Sequence, residues 1–172
     1  YGFKIRHNHT TKISGFTFQD TSWGLLLGRA PFVEISDCVF NNNHQGIASN
    51  LDKNLTISNS LFINNDIGYY EYYYGDDCLI KNCTFNNTDD IIYNPGYGTF
   101  AELHIFNSIL NGGVAGLDGD GNNPVYLNYS LYDDGNLGTN VHDVIGNILG
   151  NPLFTDSGSD NYKLQSNSPC ID

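Results

Sequence analysis

The chain repeats one short pattern of apolar and polar positions every 22 to 25 residues. KISGFTF (12–18), EISDCVF (34–40), TISNSLF (56–62), LIKNCTF (79–85), HIFNSIL (104–110) and YLNYSLY (126–132) align on an aliphatic anchor. The anchors are Ile13, Ile35, Ile57, Ile80, Ile105 and Leu127. Two positions earlier stand Thr11, Val33, Leu55, Cys78, Leu103 and Val125, and five positions later Phe18, Phe40, Phe62, Phe85, Leu110 and Tyr132. Alternate residues share a face only in extended backbone, so each anchor marks a short strand with one buried side. Position +2 is Gly15, Asp37, Asn59, Asn82, Asn107 or Tyr129, mostly types that tolerate a left-handed corner. A second corner is expected near Asp20, Asn42, Asn64, Asn87, Gly112 and Asp134. A third strand opens with Gly24, Gly46 and Gly68, in register with Ile91 and Gly116.

Three short strands and three corners per repeat make one coil of a parallel β-helix, stacked on its neighbours at ~4.8 Å. The expected fold is therefore all-β: a solenoid of about six to seven coils of about 22 residues each. It forms one domain over 1–172, with repeats over about 4–135 and a closing segment over 136–172. In such a stack like residues form ladders. The corner positions Asp37, Asn59, Asn82, Asn107, Asn42, Asn64 and Asn87 are read as structural, exchanging side-chain amide hydrogen bonds from coil to coil.

Composition agrees with many corners: the 172 residues include 24 Asn and 19 Gly. Seven Lys and Arg against 19 Asp and Glu give a net charge of −12, which argues against an electrostatic nucleic-acid binder. The same acidity discourages binding to anionic lipid. No apolar run approaches the length of a membrane-spanning helix. The chain starts at Tyr1 and contains no Met, so a processed or excised chain is expected.

With the repeats aligned, the chain resembles the right-handed parallel β-helix repeats of the pectate-lyase-like superfamily, over roughly residues 4–135. Asn151-Pro152-Leu153-Phe154, Asn161-Tyr162-Lys163-Leu164 and Ser168-Pro169-Cys170-Ile171-Asp172 are similar to the closing segment of secreted bacterial and archaeal β-helix proteins. Cys170 stands where that pattern has Ala. The resemblance implies a right-handed coil and an extracellular or cell-surface location. It does not imply one activity, since this solenoid hosts lyases, hydrolases, epimerases, adhesins and structural proteins.

Asn87-Thr88-Asp89-Asp90 resembles the opening Asn-Thr-Asp of polygalacturonases, whose chemistry needs carboxylates flanking a glycosidic bond. The Asp-Asp, Gly-His-Gly and Arg-Ile-Lys that follow in that family are missing. Asp89 and Asp90 are thus weak catalytic candidates, a solvated turn being the plainer reading. A lyase would need a calcium cluster and a basic residue beside it. The only arginines are Arg6 and Arg29, no acidic column flanks Arg29, and Lys81 points outward. The five histidines share no zinc-ligand spacing.

Asp118, Asp120 and Asn122 present three oxygen ligands in a Gly-rich stretch, a candidate calcium loop that turn chemistry explains equally well. Tyr70, Tyr72 and Tyr74 share one face of a strand, with Tyr93 in register with Tyr70. Such a patch suits packing under the protein's own loops, self-assembly, or stacking on sugar rings. Candidate glycosylation sites are Asn8, Asn54, Asn86 and Asn128, the last in an outward column; Asn82 also fits the sequon but belongs to a corner ladder. Cys38, Cys78, Cys83 and Cys170 suit a secreted protein. Cys38 and Cys83 lie two coils apart, ~9.6 Å from the strand spacing, too far for a bridge. Disulfides and buried thiols both stay open.

The leading expectation is a non-catalytic extracellular structural or adhesive protein, including a self-assembling filament or surface-layer subunit. The first coil begins almost at Tyr1 without an amphipathic cap, so a second copy could cover that end head to tail. The alternative is a carbohydrate-active or carbohydrate-binding domain of lyase or hydrolase type. No cofactor is required by either, calcium being the candidate ion. Expected partners are a second copy or glycans, not nucleic acid.

Overall fold

The protein is described here from a computed structural model covering residues 2–6, 9–28, 32–50, 54–71, 77–87, 89–93, 102–112, 116–118, 124–133, 137, 140–159 and 161–171. Strand β1 (Phe3–Arg6) precedes a first coil of β2 (Thr11–Ser14), β3 (Thr17–Gln19) and β4 (Trp23–Gly28). The next two are β5 (Val33–Ser36), β6 (Val39–Asn41), β7 (Gln45–Asn50), then β8 (Leu55–Ser58), β9 (Leu61–Ile63), β10 (Ile67–Glu71). They are followed by β11 (Cys78–Lys81), β12 (Thr84–Asn87), β13 (Asp90–Tyr93), and β14 (Leu103–Phe106), β15 (Ile109–Gly112), β16 (Gly116–Asp118). Two partial rungs come last, β17 (Val125–Asn128) with β18 (Leu131–Tyr132), and β19 (Val141–Ile145) with β20 (Ile148–Leu149).

First strands stack into sheet I, in the order β2-β5-β8-β11-β14-β17-β19. Second strands form sheet II, β3-β6-β9-β12-β15-β18-β20, and third strands form sheet III, β1-β4-β7-β10-β13-β16. Every pairing within these sheets is parallel, so the molecule is an all-β parallel solenoid with three strands per coil. Five coils have all three strands; the last two rungs have no sheet III strand among the described residues. Full coils are therefore fewer than the six to seven expected. A short antiparallel hairpin, β21 (Phe154–Asp156) and β22 (Asn161–Leu164), follows the stack.

The anchor column is continuous: Ile13, Ile35, Ile57, Ile80, Ile105 and Leu127 stand opposite one another in sheet I, and all are buried. Fully burying each such side chain contributes about 1.5–3 kcal/mol. In sheet II, Phe18, Phe40, Phe62 and Phe85 stack ring on ring, with centroids 5.0, 4.7 and 4.4 Å apart and nearly parallel planes. In sheet III, Leu25, Ile47, Tyr69 and Ile92 complete the core. The third-strand register shifts once. Gly116 pairs with Asp90 rather than Ile91, because a bulge separates Asp90 from Ile92.

Corners between sheets I and II sit at positive φ: Gly15, Asp37, Asn59, Asn82, Asn107, Tyr129 and Gly146. Their side-chain amides run down the stack, from Asn107 Nδ2 to Asn82 Oδ1 at 2.8 Å and from Asn82 Nδ2 to Asn59 Oδ1 at 3.2 Å. Asp20, Asn42 and Asn64 turn the next corner, also at positive φ, and Asn42 Nδ2 donates to Asp20 Oδ1 at 2.8 Å. At the fourth coil the chain runs straight through the expected corner: Asn87 ends β12 and pairs with Gly112 of β15. One residue further along, a second Asn ladder is buried. Asn65 Oδ1 accepts from the backbone and side-chain nitrogens of Asn43 at 3.0 and 2.9 Å, and Asn65 Nδ2 donates to the Phe40 carbonyl at 2.9 Å.

All four cysteines are free thiols, so no disulfide staples the stack. Cys38 and Cys83 occupy a buried column shared with Ser60, Ser108 and Ser130. Each sulfur points to the carbonyl two residues back, Ser36 at 3.1 Å and Lys81 at 3.3 Å, as the serine hydroxyls do. The thiol thus stands in for a ladder hydroxyl.

Candidate functional site

Inward columns build the core and corner columns build ladders, which leaves the outward faces for function. On sheet I two outward columns run the length of the stack. One is Lys12, Glu34, Thr56, Leu79, His104, Tyr126 and His142, in register across seven strands. The other is Ser14, Ser36, Ser58, Lys81, Phe106, Asn128 and Ile145. Over the first four strands the face is a shallow groove of about 570 Å³, floored by Ser14, Ser36, Ser58 and Thr56. Lys12 Nζ and Glu34 Oε2 pair across it at 2.6 Å, both well exposed, a contact worth little in water.

Over the last three strands the same face becomes a column of rings. His104, Tyr126 and His142 stack with centroids 5.0 and 5.1 Å apart, and Phe106 lies 6.3 Å from His104. His104 Nε2 also contacts Glu102 Oε2 at 3.1 Å. Sequence reading passed over this column because it follows the position just before each anchor, which varies in type from repeat to repeat. Aligning that position alone would have exposed it.

The tyrosine patch is less open than its sequence pattern implies. Tyr70 and Tyr93 do stand together on the outward face of sheet III, ring centroids 5.2 Å apart, but both are only half exposed. Ala48, next to Tyr70 in the same outward column, is fully buried between Tyr70 and Leu26, both partly exposed. Tyr72 and Tyr74 lie outside the described residues.

Asp89 is exposed just before β13, and Asp90 opens that strand half-buried. Asp118 closes strand β16, its backbone paired with Tyr93 rather than in a loop; Asp120 and Asn122 lie outside the described residues. Of the glycosylation candidates, Asn54 is exposed and Asn86 is half-buried, with its Oδ1 accepting from Asn111 Nδ2. Asn128 is only 8 % exposed, and this corrects its reading as an accessible outward position. A bulge after Leu127 puts β19 and Ile145 against it, closing the face there. Asn8 lies outside the described residues.

Soft metal donors are few and dispersed. The sequence has no Met, and Cys38, Cys78 and Cys83 are buried inside the coil. Burial pushes the Cys83 thiol up to about 12 and raises Cys38 and Cys78 as well, which keeps all three protonated and poor as ligands. His44 Nδ1 is engaged by Asp66 at 2.7 Å, and His104 and His142 are separated by the Tyr126 ring. Among the described residues no group of three or more His, Cys, Asp or Glu could hold a metal ion. No helix among them is long and apolar enough to cross a membrane.

Neither a curated protein nor a solved structure matches the chain significantly. A family model does, described as "Periplasmic copper-binding protein (NosD)" and matching residues 1–153. That span takes in every coil of the stack as well as the last partial rung. The chain therefore belongs to the NosD family, one of right-handed parallel β-helices.

Proposed function

We propose that this chain is a non-catalytic, extracytoplasmic structural or adhesive β-helix that holds an extended partner along the outward face of sheet I. One observation carries the reading. The outward column of sheet I from Lys12 to His142 continues in register over seven strands, while the inward positions and most corner positions are committed to stacking. The family's periplasmic description supports a place outside the cytoplasm. Its copper binding does not carry over to the described residues: a copper centre wants converging thiolate, thioether or imidazole donors, and three of the four thiols, Cys38, Cys78 and Cys83, are buried and protonated.

Carbohydrate binding is the second reading, favoured by the ring column His104, Tyr126 and His142 beside Phe106. Head-to-tail filament growth fits less well than lateral contact. Asp143 takes the anchor column's inward place on the last rung, where it accepts from Tyr132 Oη at 3.0 Å and Asn147 Nδ2 at 2.7 Å. Stacking another coil there would bury that carboxylate against apolar residues.

Incubation with acidic and neutral polysaccharides, with and without calcium, tests the non-catalytic reading. No new reducing ends and no unsaturated products are expected. Release of either overturns it.

A further inference from the structure

The geometry points to a binding cleft for a neutral sugar between the last corners of the stack and the C-terminal segment, with Tyr129 as its platform. Tyr129 occupies a column otherwise filled by Gly15, Asp37, Asn59, Asn82, Asn107 and Gly146. Its φ is +47°, a region that Asn and Gly enter readily and an aromatic residue rarely does. The substitution also interrupts the ladder. Asn107 donates to Asn82, but Tyr129 has no amide to give Asn107 in turn. An aromatic ring held in strained backbone, where the fold would be better served by Asn, is the kind of outlier that marks a functional position.

The surroundings suit a ligand. One side of the Tyr129 ring lies across Gly146, where a Cβ would come within 2.5 Å of Cδ1; the residue is still 58 % exposed. Beside it opens a cavity of about 570 Å³, lined among others by Phe106, Asn107, Ser108, Leu164 and Cys170. That volume lies within the usual range of roughly 300–1,000 Å³ for small-molecule sites. An exposed phenol ring offers a face for the C–H side of a sugar, and the exposed Asn107 amide offers a polar group at its edge. The net charge of −12, with Asp133 and Asp143 on the same rungs, disfavours anionic sugars. The ring column reaches the cleft through Phe106, so a glycan along sheet I could end in it.

This deepens the adhesive reading by naming a ligand class, and it predicts which residue matters. Cys170 gives a readout, because it lines the cleft half-exposed while the other three thiols are buried. The intact chain is alkylated with iodoacetamide in the presence of cellopentaose, xylopentaose or chitopentaose, and binding of each is followed by saturation-transfer NMR. At least one should bind and slow Cys170 modification severalfold. Tyr129→Asn, which restores the column's residue type, should keep or raise thermal stability while weakening binding at least tenfold. Equal binding by Tyr129→Asn, or none by the wild type to any of the three, overturns the cleft. Cleavage of an oligosaccharide would instead count against the non-catalytic reading, so the two failures are distinguishable.

Discussion

The backbone N–H of Cys83 donates to Ser108 Oγ on the next rung at 3.2 Å, and Ser108 N–H donates in turn to Ser130 Oγ at 3.1 Å. Along this buried column, shared by Cys38 and Cys83, the serine hydroxyls thus satisfy backbone donors of the preceding rung that stacking would otherwise orphan. Ser108→Ala should cost roughly 1–3 kcal/mol, since it leaves the Cys83 N–H buried without an acceptor. Cys83→Ser, which swaps one ladder group for another, should change stability by less than about 1 kcal/mol. Urea denaturation of both variants checks the contrast.

Asn65 is the most committed polar residue of the core. It is fully buried and joins three groups: the backbone and side chain of Asn43, and the Phe40 carbonyl. Asn65→Ala should destabilise by about 3 kcal/mol, because more than one buried group loses its partner. Asn59→Ala, in the exposed ladder of the neighbouring corner, should cost less. Thermal melts of the pair test the ranking.

Gly46 must be glycine for reasons of space. A Cβ there would stand 2.7 Å from the Gly68 carbonyl oxygen and 3.1 Å from Phe62 Cδ1. The oxygen belongs to the next coil's backbone and cannot step aside. Gly46→Ala should therefore destabilise by about 3 kcal/mol through overpacking, or prevent folding. Gly150→Ala, with nothing within 4 Å, is the control and should be well tolerated. Soluble yield and circular dichroism separate the two.

Alkali should unfold the protein sooner than its hydrogen bonding suggests. Burial raises the Cys83 thiol from the ordinary value near 9 to about 12, and pushes up Cys38, Cys78 and Tyr69 in the same direction. In the unfolded chain these groups release protons at lower pH than in the folded one. The stability they contribute is complete below pH 9 and drains away as pH climbs toward 12. Denaturation midpoints measured from pH 8 to pH 11 should fall steadily. The reverse slope would contradict the buried, protonated thiols.

Much of this architecture is legible in the sequence, because stacking forces like residues into columns and columns recur at a fixed interval. Ile13 to Leu127 and Phe18 to Phe85 pair as their spacing implies. What the repeat hides is whatever depends on neighbours beyond the coil. Asn128 reads as outward and is buried beside the last rung. Asp143 also escaped notice, since a shorter final repeat carries it into the anchor column only in three dimensions. Of the candidate site, the ring column and Tyr129 both sit at positions whose residue type changes along the stack. A pattern built on recurrence passes over them.

The central claim is that this β-helix binds an extended partner without chemically altering it. Co-sedimentation with insoluble neutral polysaccharides, followed by sizing of soluble chains from a parallel incubation, tests it most directly. The account predicts protein in the pellet, lost with Tyr126→Ala and Tyr129→Asn together, and polymer length unchanged after prolonged incubation. Shortened chains, or a double variant that pellets as the wild type does, would contradict it.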